Sequence, residues 1–180
     1  NYALRKDMTK EEFIAEVTNG LAVPPQYFPK NVGMNKGVNK SYDDILSDAN
    51  KALSLDEFKT LRADSNTLVM DVRDQDEFVK GFISGSLFFG LDGTFVAWLG
   101  TLIEDLNTPI ILVVDEERAQ EAITRLARVG YDNVQGYLEG SYQTWAEAGQ
   151  EIDQIESISP AHFASKIYTK KNVSIVDVRK

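Results

Sequence analysis

From Ser54 to Gly149 the chain alternates short apolar runs with amphipathic stretches, and few folds accept that alternation. Thr67 to Val72 is an apolar run bounded by polar residues, the pattern of a strand covered on both faces. Ile110 to Val114 is five aliphatic residues in a row, the strongest strand signal in the chain. Val134 to Tyr137 is a third, shorter run. Amphipathic segments separate them. Ser54-Leu-Asp-Glu57 is a capping box, opening a helix with Phe58 and Leu61 inward. Asp74 caps a short helix holding Glu77 and Phe78. Phe95, Trp98, Leu99, Leu102 and Ile103 form one face of a further helix, with Trp98 and Trp145 reading as core. Ala119, Ala122, Ile123, Leu126 and Ala127 give the next, ended by Gly130. Ser141 to Ala148 is the last, closed by Gly149. Strands separated by helices predict an α/β fold, a central parallel sheet with helices on both faces.

The flanks read differently. Residues 1–53 form an appendage: Thr9-Lys-Glu-Glu12 is another capping box, and Phe13, Ile14 and Val17 recur at helical spacing up to Gly20. Pro24-Pro25 then stops the helix, and Gln26 to Lys40 reads as irregular. At the other end a repeat stands out. Ser54-Leu-Asp-Glu-Phe58 precedes the run ending Asp71-Val-Arg73. Ser159-Pro-Ala-His-Phe163 likewise precedes Ser174-Ile-Val-Asp-Val-Arg179, one small domain further on. Residues 151–180 are therefore expected to be a linker and the incomplete start of a second copy, beginning near Ile158.

Charge and composition narrow the function. The net charge is -9, which disfavours nucleic acid and anionic membrane surfaces as partners. No stretch of about 18 apolar residues is present to span a membrane. A cytoplasmic location is the expectation. The chain contains no cysteine, which excludes disulfides, thiolate metal sites and thiol nucleophiles. Its one histidine, His162, is too few for the usual zinc or non-haem iron site. No metal and no cofactor is expected in the chain. His162, just after Pro160, is expected to be exposed and is assigned no role.

Between residues 54 and 150 the sequence resembles a rhodanese-like domain. The resemblance rests on Asp71-Val-Arg73 closing a strand and on Glu77-Phe78. Gly81-Phe-Ile-Ser-Gly-Ser-Leu87 resembles the family's Gly-His-Ile-Pro-Gly-Ala turn, and Gly130-Tyr-Asp-Asn-Val134 and Leu138-Glu-Gly-Ser141 with Trp145 match its closing strand and helix. It implies a rhodanese-like α/β fold and a sulfur-carrying cysteine in the loop after the central strand, in the pattern Cys-x-x-Gly-x-Arg-Ser. Backbone N–H groups there hold a persulfide anion. Here the region is Val113-Val-Asp-Glu-Glu-Arg118-Ala119. Anchoring on Arg118 puts Val113 at the nucleophile position with Glu116 for the glycine; anchoring on the strand end puts Asp115 there, with a shorter loop. Neither is a thiol. Val113, Asp115, Glu116, Glu117 and Arg118 thus mark a degenerate active-site loop whose three carboxylates repel sulfur anions, and no residue is expected to be catalytic. Glu121 to Arg125 reads as a solvated i,i+4 pair. Asp71, Arg73 and Glu77 read as structural, Asp71 capping backbone and Arg73 pairing with an acid such as Glu77.

Asn1-Tyr-Ala-Leu-Arg5, Glu11-Glu-Phe13, Pro24-Pro-Gln-Tyr-Phe-Pro29 and Asn35 resemble the last part of a metallo-β-lactamase-fold domain, of the persulfide dioxygenase kind fused to two rhodanese domains. That resemblance implies an iron site in an absent N-terminal domain and neighbouring catalytic domains as partners, with a homo-oligomer left open. Two functions are in play. One is a non-catalytic module in sulfide or persulfide metabolism. The other is an enzyme using Asp115 to Glu117 for hydrolysis or cation-assisted chemistry.

Overall fold

The computed structural model describes residues 8–21, 28, 32–33, 40–169 and 174–178, and for 167–169 the backbone only. Five strands form one parallel sheet: β1 (Ala52–Leu53), β2 (Leu68–Asp71), β4 (Leu87–Phe88), β5 (Ile110–Val113) and β6 (Val134–Leu138), in the order β1-β6-β5-β2-β4. The expected α/β architecture is the one observed. A separate antiparallel pair joins β3 (Phe82–Ile83) to β7 (Ile152–Asp153).

The period of two along each strand decides which face a side chain enters. On β5, Ile110 and Leu112 face one apolar cluster, while Ile111 and Val113 face the other. On β2, Met70 and Val69 divide in the same way. The first cluster is covered by α2 (Tyr42–Ala49), α5 (Phe95–Leu102) and α6 (Ala119–Ala127). The second is covered by α3 (Leu55–Arg62) and α7 (Ser141–Glu147), where Phe58 meets Trp145 edge-on at 5.9 Å. Trp145 donates its indole N–H to the Glu151 carbonyl at 2.9 Å, satisfying its one polar atom. The Ser54–Glu57 box and the Asp74 cap of α4 (Gln75–Lys80) are both formed.

Three expectations are corrected. The folded unit starts before Ser54: β1 pairs with β6, and α2 buries Ile45 and Ala49. Second, Trp98 is not core. It is 56% exposed, as is Leu102, while Phe95 and Leu99, one helical turn apart, take the inward stripe of α5. Third, Ser174 to Val178 forms no strand and is exposed, although α8 (Pro160–Thr169) precedes it as the repeat implied. A parallel strand draws its hydrogen bonds from neighbours, and no strand of the described residues pairs with this segment. His162 is exposed. Helix α1 (Lys10–Thr18) carries its Thr9–Glu12 box and buries none of its residues. The Pro24-Pro25 stop, Tyr27, Met34, Asn35, Asn1 to Arg5 and Arg179 lie outside the described residues.

Candidate functional site

In an open parallel sheet, ligands meet the chain at the strands' carboxyl edge, where loops pass from strand to helix. The loop after β5, the central strand, is the position at issue. Val113 ends β5, pairs in register with Asp71 and is fully buried. Val114 is buried too. Asp115 is the first residue after the strand to reach solvent. Of the two alignments, the structure thus places Asp115, not Val113, at the mouth of the loop. Val113 is a core residue of the second cluster.

The loop itself is short and wound tight. Asp115 leads directly into a 3-10 turn at Glu116–Arg118, and the Arg118 N–H donates to the Asp115 carbonyl at 2.8 Å. Helix α6 follows without a break. Asp115, Glu116 and Glu117 all point into solvent-accessible space, and no group of three His, Cys, Asp or Glu among the described residues is placed to hold a metal ion.

Arg118 is the loop's structural anchor. Its guanidinium clasps Asp92 at 2.7 and 2.9 Å and reaches Glu121 at 3.0 Å. Glu121 also pairs with Arg125 at 2.6 Å, as its spacing implied. Arg125 in turn donates to the Leu91 carbonyl at 2.5 Å. Asp92, then Glu121, hold the Arg118 guanidinium above its usual pKa, and Arg118 holds both carboxyls below theirs. The 89–94 loop is in this way tied down across the start of α6.

Asp71 and Arg73 stand behind the loop. Arg73 Nε contacts both Asp71 oxygens at 3.0 and 3.1 Å, and Nη2 contacts Oδ2 at 2.7 Å. The Arg73 backbone N–H donates to Asp71 Oδ1, so the capping expected of this carboxylate is present. The ion-pair partner differs from expectation. Arg73 takes Asp71, whereas Glu77 is exposed and pairs with Lys80 at 2.6 Å. Residues two apart at a strand end lie on the same side, which brings arginine and aspartate together before any helix residue competes. Burial pushes the Asp71 carboxyl above its usual range against the pull of Arg73. Arg73 also lies over the Tyr142 ring at 4.4 Å and donates to the Gly81 carbonyl at 2.9 Å. Phe82, standing where the family has histidine, stacks on Phe78 at 4.3 Å.

Arg73 lines two clefts. One, of about 310 Å³, has Asp115, Ser141 and Tyr142 in its wall. Gly140 and Ser141 turn into it in left-handed conformations, at φ 69 and 58 degrees. The other, of about 520 Å³, is walled by Phe88, Phe89, Phe95 and Trp98. Asp92 and Tyr142 carry no local sequence signal for these roles, since each acts on a residue far along the chain.

No described helix is long and apolar enough to cross a membrane. No curated protein matches the chain. Among solved structures, a metallo-beta-lactamase from Staphylococcus aureus subsp. aureus COL aligns with 22% identity and TM-score 0.52, over 77% of this chain and 37% of that one. The Alr3790 protein from Anabaena sp. aligns with 17% identity and TM-score 0.52, over 63% of this chain and 99% of that one. EanB, whose variants were solved with hercynine, aligns with 17% identity and TM-score 0.50, over 72% of this chain and 34% of that one. The chain thus spans little more than a third of the length of the Staphylococcus and EanB proteins. At such identities the likeness is one of fold. The family model of the rhodanese-like domain matches residues 54–148, more than half of the sequence, and with the five-stranded parallel sheet already described the chain belongs to the rhodanese-like domain family.

Proposed function

We propose that this chain is a non-catalytic rhodanese-like module of a multidomain protein of sulfide or persulfide metabolism. The observation that carries the reading is the loop after β5. Its solvent-facing position is Asp115, the chain has no cysteine to replace it, and the 3-10 turn spends the Arg118 amide on the Asp115 carbonyl. A persulfide carrier needs a thiolate and a ring of free amides at that point. Glu116 and Glu117 add charge that repels thiosulfate.

The wider context follows the same reading. The stretch ahead of α2 is proposed as the tail of a metallo-β-lactamase-fold domain with a linker, the unit from α2 through residue 150 as the cysteine-free domain, and 151–180 as a linker and the beginning of another rhodanese-like unit. The fold likeness to the Staphylococcus metallo-beta-lactamase, over 77% of this chain, supports this reading. Iron, bound by histidines and aspartates outside this chain, belongs to the persulfide dioxygenase domain of that proposal. The module's partners are then the catalytic domains beside it, in the cytoplasm. The alternative, catalysis by Asp115, Glu116 and Glu117, needs a carboxyl enclosed in a pocket. All three side chains are exposed, which favours the non-catalytic reading. The test is an assay of the chain with thiosulfate and cyanide. Thiocyanate should not rise above a heat-killed control, and clear turnover would end the proposal.

A further inference from the structure

The outer flank of α5 presents Trp98 and Leu102 side by side, four residues apart, each more than half exposed. Leu87, on the edge strand β4, is also exposed and lines a shallow hollow with Leu102. Trp98 and Leu102 also border the cleft of about 520 Å³, whose wall continues through Phe88, with Phe89 and Phe95 buried behind it. Leu87, Leu102 and Trp98 thus link the hollow at the sheet edge to the mouth of the cleft. An apolar patch of this kind, with an exposed tryptophan at its centre, has the make-up of a binding surface.

The charges around it are mostly negative. Asp74 and Asp92 line the cleft, and Asp76, Asp115, Glu116 and Glu117 stand exposed along the same carboxyl edge. The nearby cations are already engaged: Arg73 by Asp71, Arg118 by Asp92 and Glu121, Arg125 by Glu121, and Lys80 by Glu77. Once those pairs are set aside, Asp74, Asp76 and the three loop carboxylates leave the edge strongly negative. An acidic rim beside an apolar cleft attracts its complement and repels other acidic surfaces, including a second copy of a chain whose own net charge is -9.

We propose that the α5 face and its cleft dock a protein segment that sets an aliphatic or aromatic side chain against Trp98 and Leu102 and flanks it with lysine or arginine. In this arrangement the carboxylates that replace the family's sulfur site serve as the electrostatic half of a binding surface. The inference goes beyond the absence of sulfur transfer and stands on separate observations, so either can fail without the other.

Fluorescence of the full chain provides the test, because Trp145 is buried and Trp98 is the exposed reporter. The probes are three amphipathic peptides of about fourteen residues, long enough to form a helix on a surface. One is built of leucine and lysine, one of leucine and glutamate, and one of serine and lysine. The leucine–lysine peptide should shift Trp98 emission to the blue and saturate. The other two should not. Leu102→Ser leaves the reporter in place and removes apolar surface, and should weaken binding about tenfold. The double change Asp76→Lys with Glu117→Lys should weaken it as well, as should raising salt from about 50 to 300 mM. Equal binding of the leucine–glutamate peptide, or a Leu102→Ser variant that binds as well as the parent, overturns the proposal. So does a concentration-dependent dimer in sedimentation that Trp98→Ser dissolves, which would assign the face to a second copy instead.

Discussion

Arg73 and Asp71 form a forked ion pair inside the protein, with Arg73 Nη2 2.7 Å from Asp71 Oδ2 and the two side chains 7% and 0% exposed. Removing one partner leaves the other charge buried and unpaired. Asp71→Ala or Arg73→Ala should therefore cost about 3–5 kcal/mol, while the pair replaced together by apolar residues should cost much less than the two single changes added. Urea unfolding of the three variants measures this. Simple additivity would show that the pair is not a unit.

Gly136 sits at φ 137 degrees, in the bulge where β6 slips register against β5 between Ile110 and Ile111. A Cβ there would lie 2.7 Å from the Lys51 carbonyl oxygen, which accepts the Tyr137 N–H that holds β1 to the sheet. Both the backbone conformation and the space exclude a side chain. Gly136→Ala should destabilise the fold by about 2 kcal/mol. Amide exchange should speed most at Tyr137 and Glu139, which donate to the Lys51 and Leu53 carbonyls on either side of Ala52. A variant with unchanged unfolding midpoint would contradict this account of the bulge.

Acid titration should separate two kinds of carboxylate. Arg118 holds Asp92 and Glu121 below their usual pKa. Their contribution to stability is present above the unfolded values, near pH 4, and is lost as pH falls through the lower folded values. Asp132 is the opposite case. Burial raises its pKa, and Oδ1 is buried without a hydrogen-bond partner. Its contribution is greatest below the unfolded value and is lost as pH rises through the folded one. Asp132→Asn should raise the urea midpoint at pH 7 and leave it unchanged at pH 3. Asp92→Asn should lower the midpoint at pH 7 and flatten its fall toward acid. The same response from both variants would refute the assignment.

The parts of this fold that were legible in the sequence are those set by local pattern. The runs around Met70, Leu112 and Tyr137 became parallel strands, and the boxes at Thr9 and Ser54 became helix starts, because burial period and capping chemistry act within a few residues. The two-residue strands β1, β3, β4 and β7 are too short to show a period and carry no strand signal in the sequence. Helix α5 is apolar on more than one stripe, so spacing alone could not tell that Phe95 and Leu99 face inward and Trp98 outward. At the loop, Val113 and Asp115 fit the family pattern equally well by spacing, and only the burial of the end of β5 separates them. The Arg118–Asp92 clasp joins residues 26 positions apart and leaves no mark on either segment.

Supplying a thiol at the loop should not by itself create a sulfur carrier. Asp115→Cys puts sulfur at the first exposed position after β5, where the family's chemistry takes place. The surroundings are wrong for a thiolate. The Arg118 and Ala119 amides already donate to the Asp115 and Glu116 carbonyls, and two carboxylates, Glu116 and Glu117, follow at once. Neighbouring negative charge disfavours the anion, so the new thiol should titrate at or above the ordinary value of about 8.5. It should react with iodoacetamide accordingly, slowly at pH 7, and form no thiocyanate from thiosulfate and cyanide. Adding Glu116→Gln and Glu117→Gln removes the repulsion but not the spent amides. The thiol pKa should then fall while sulfur transfer stays absent. If Asp115→Cys alone gave a low-pKa thiol that accepted sulfur, the missing cysteine would be the only barrier, and the wound loop would have no part in the inactivity.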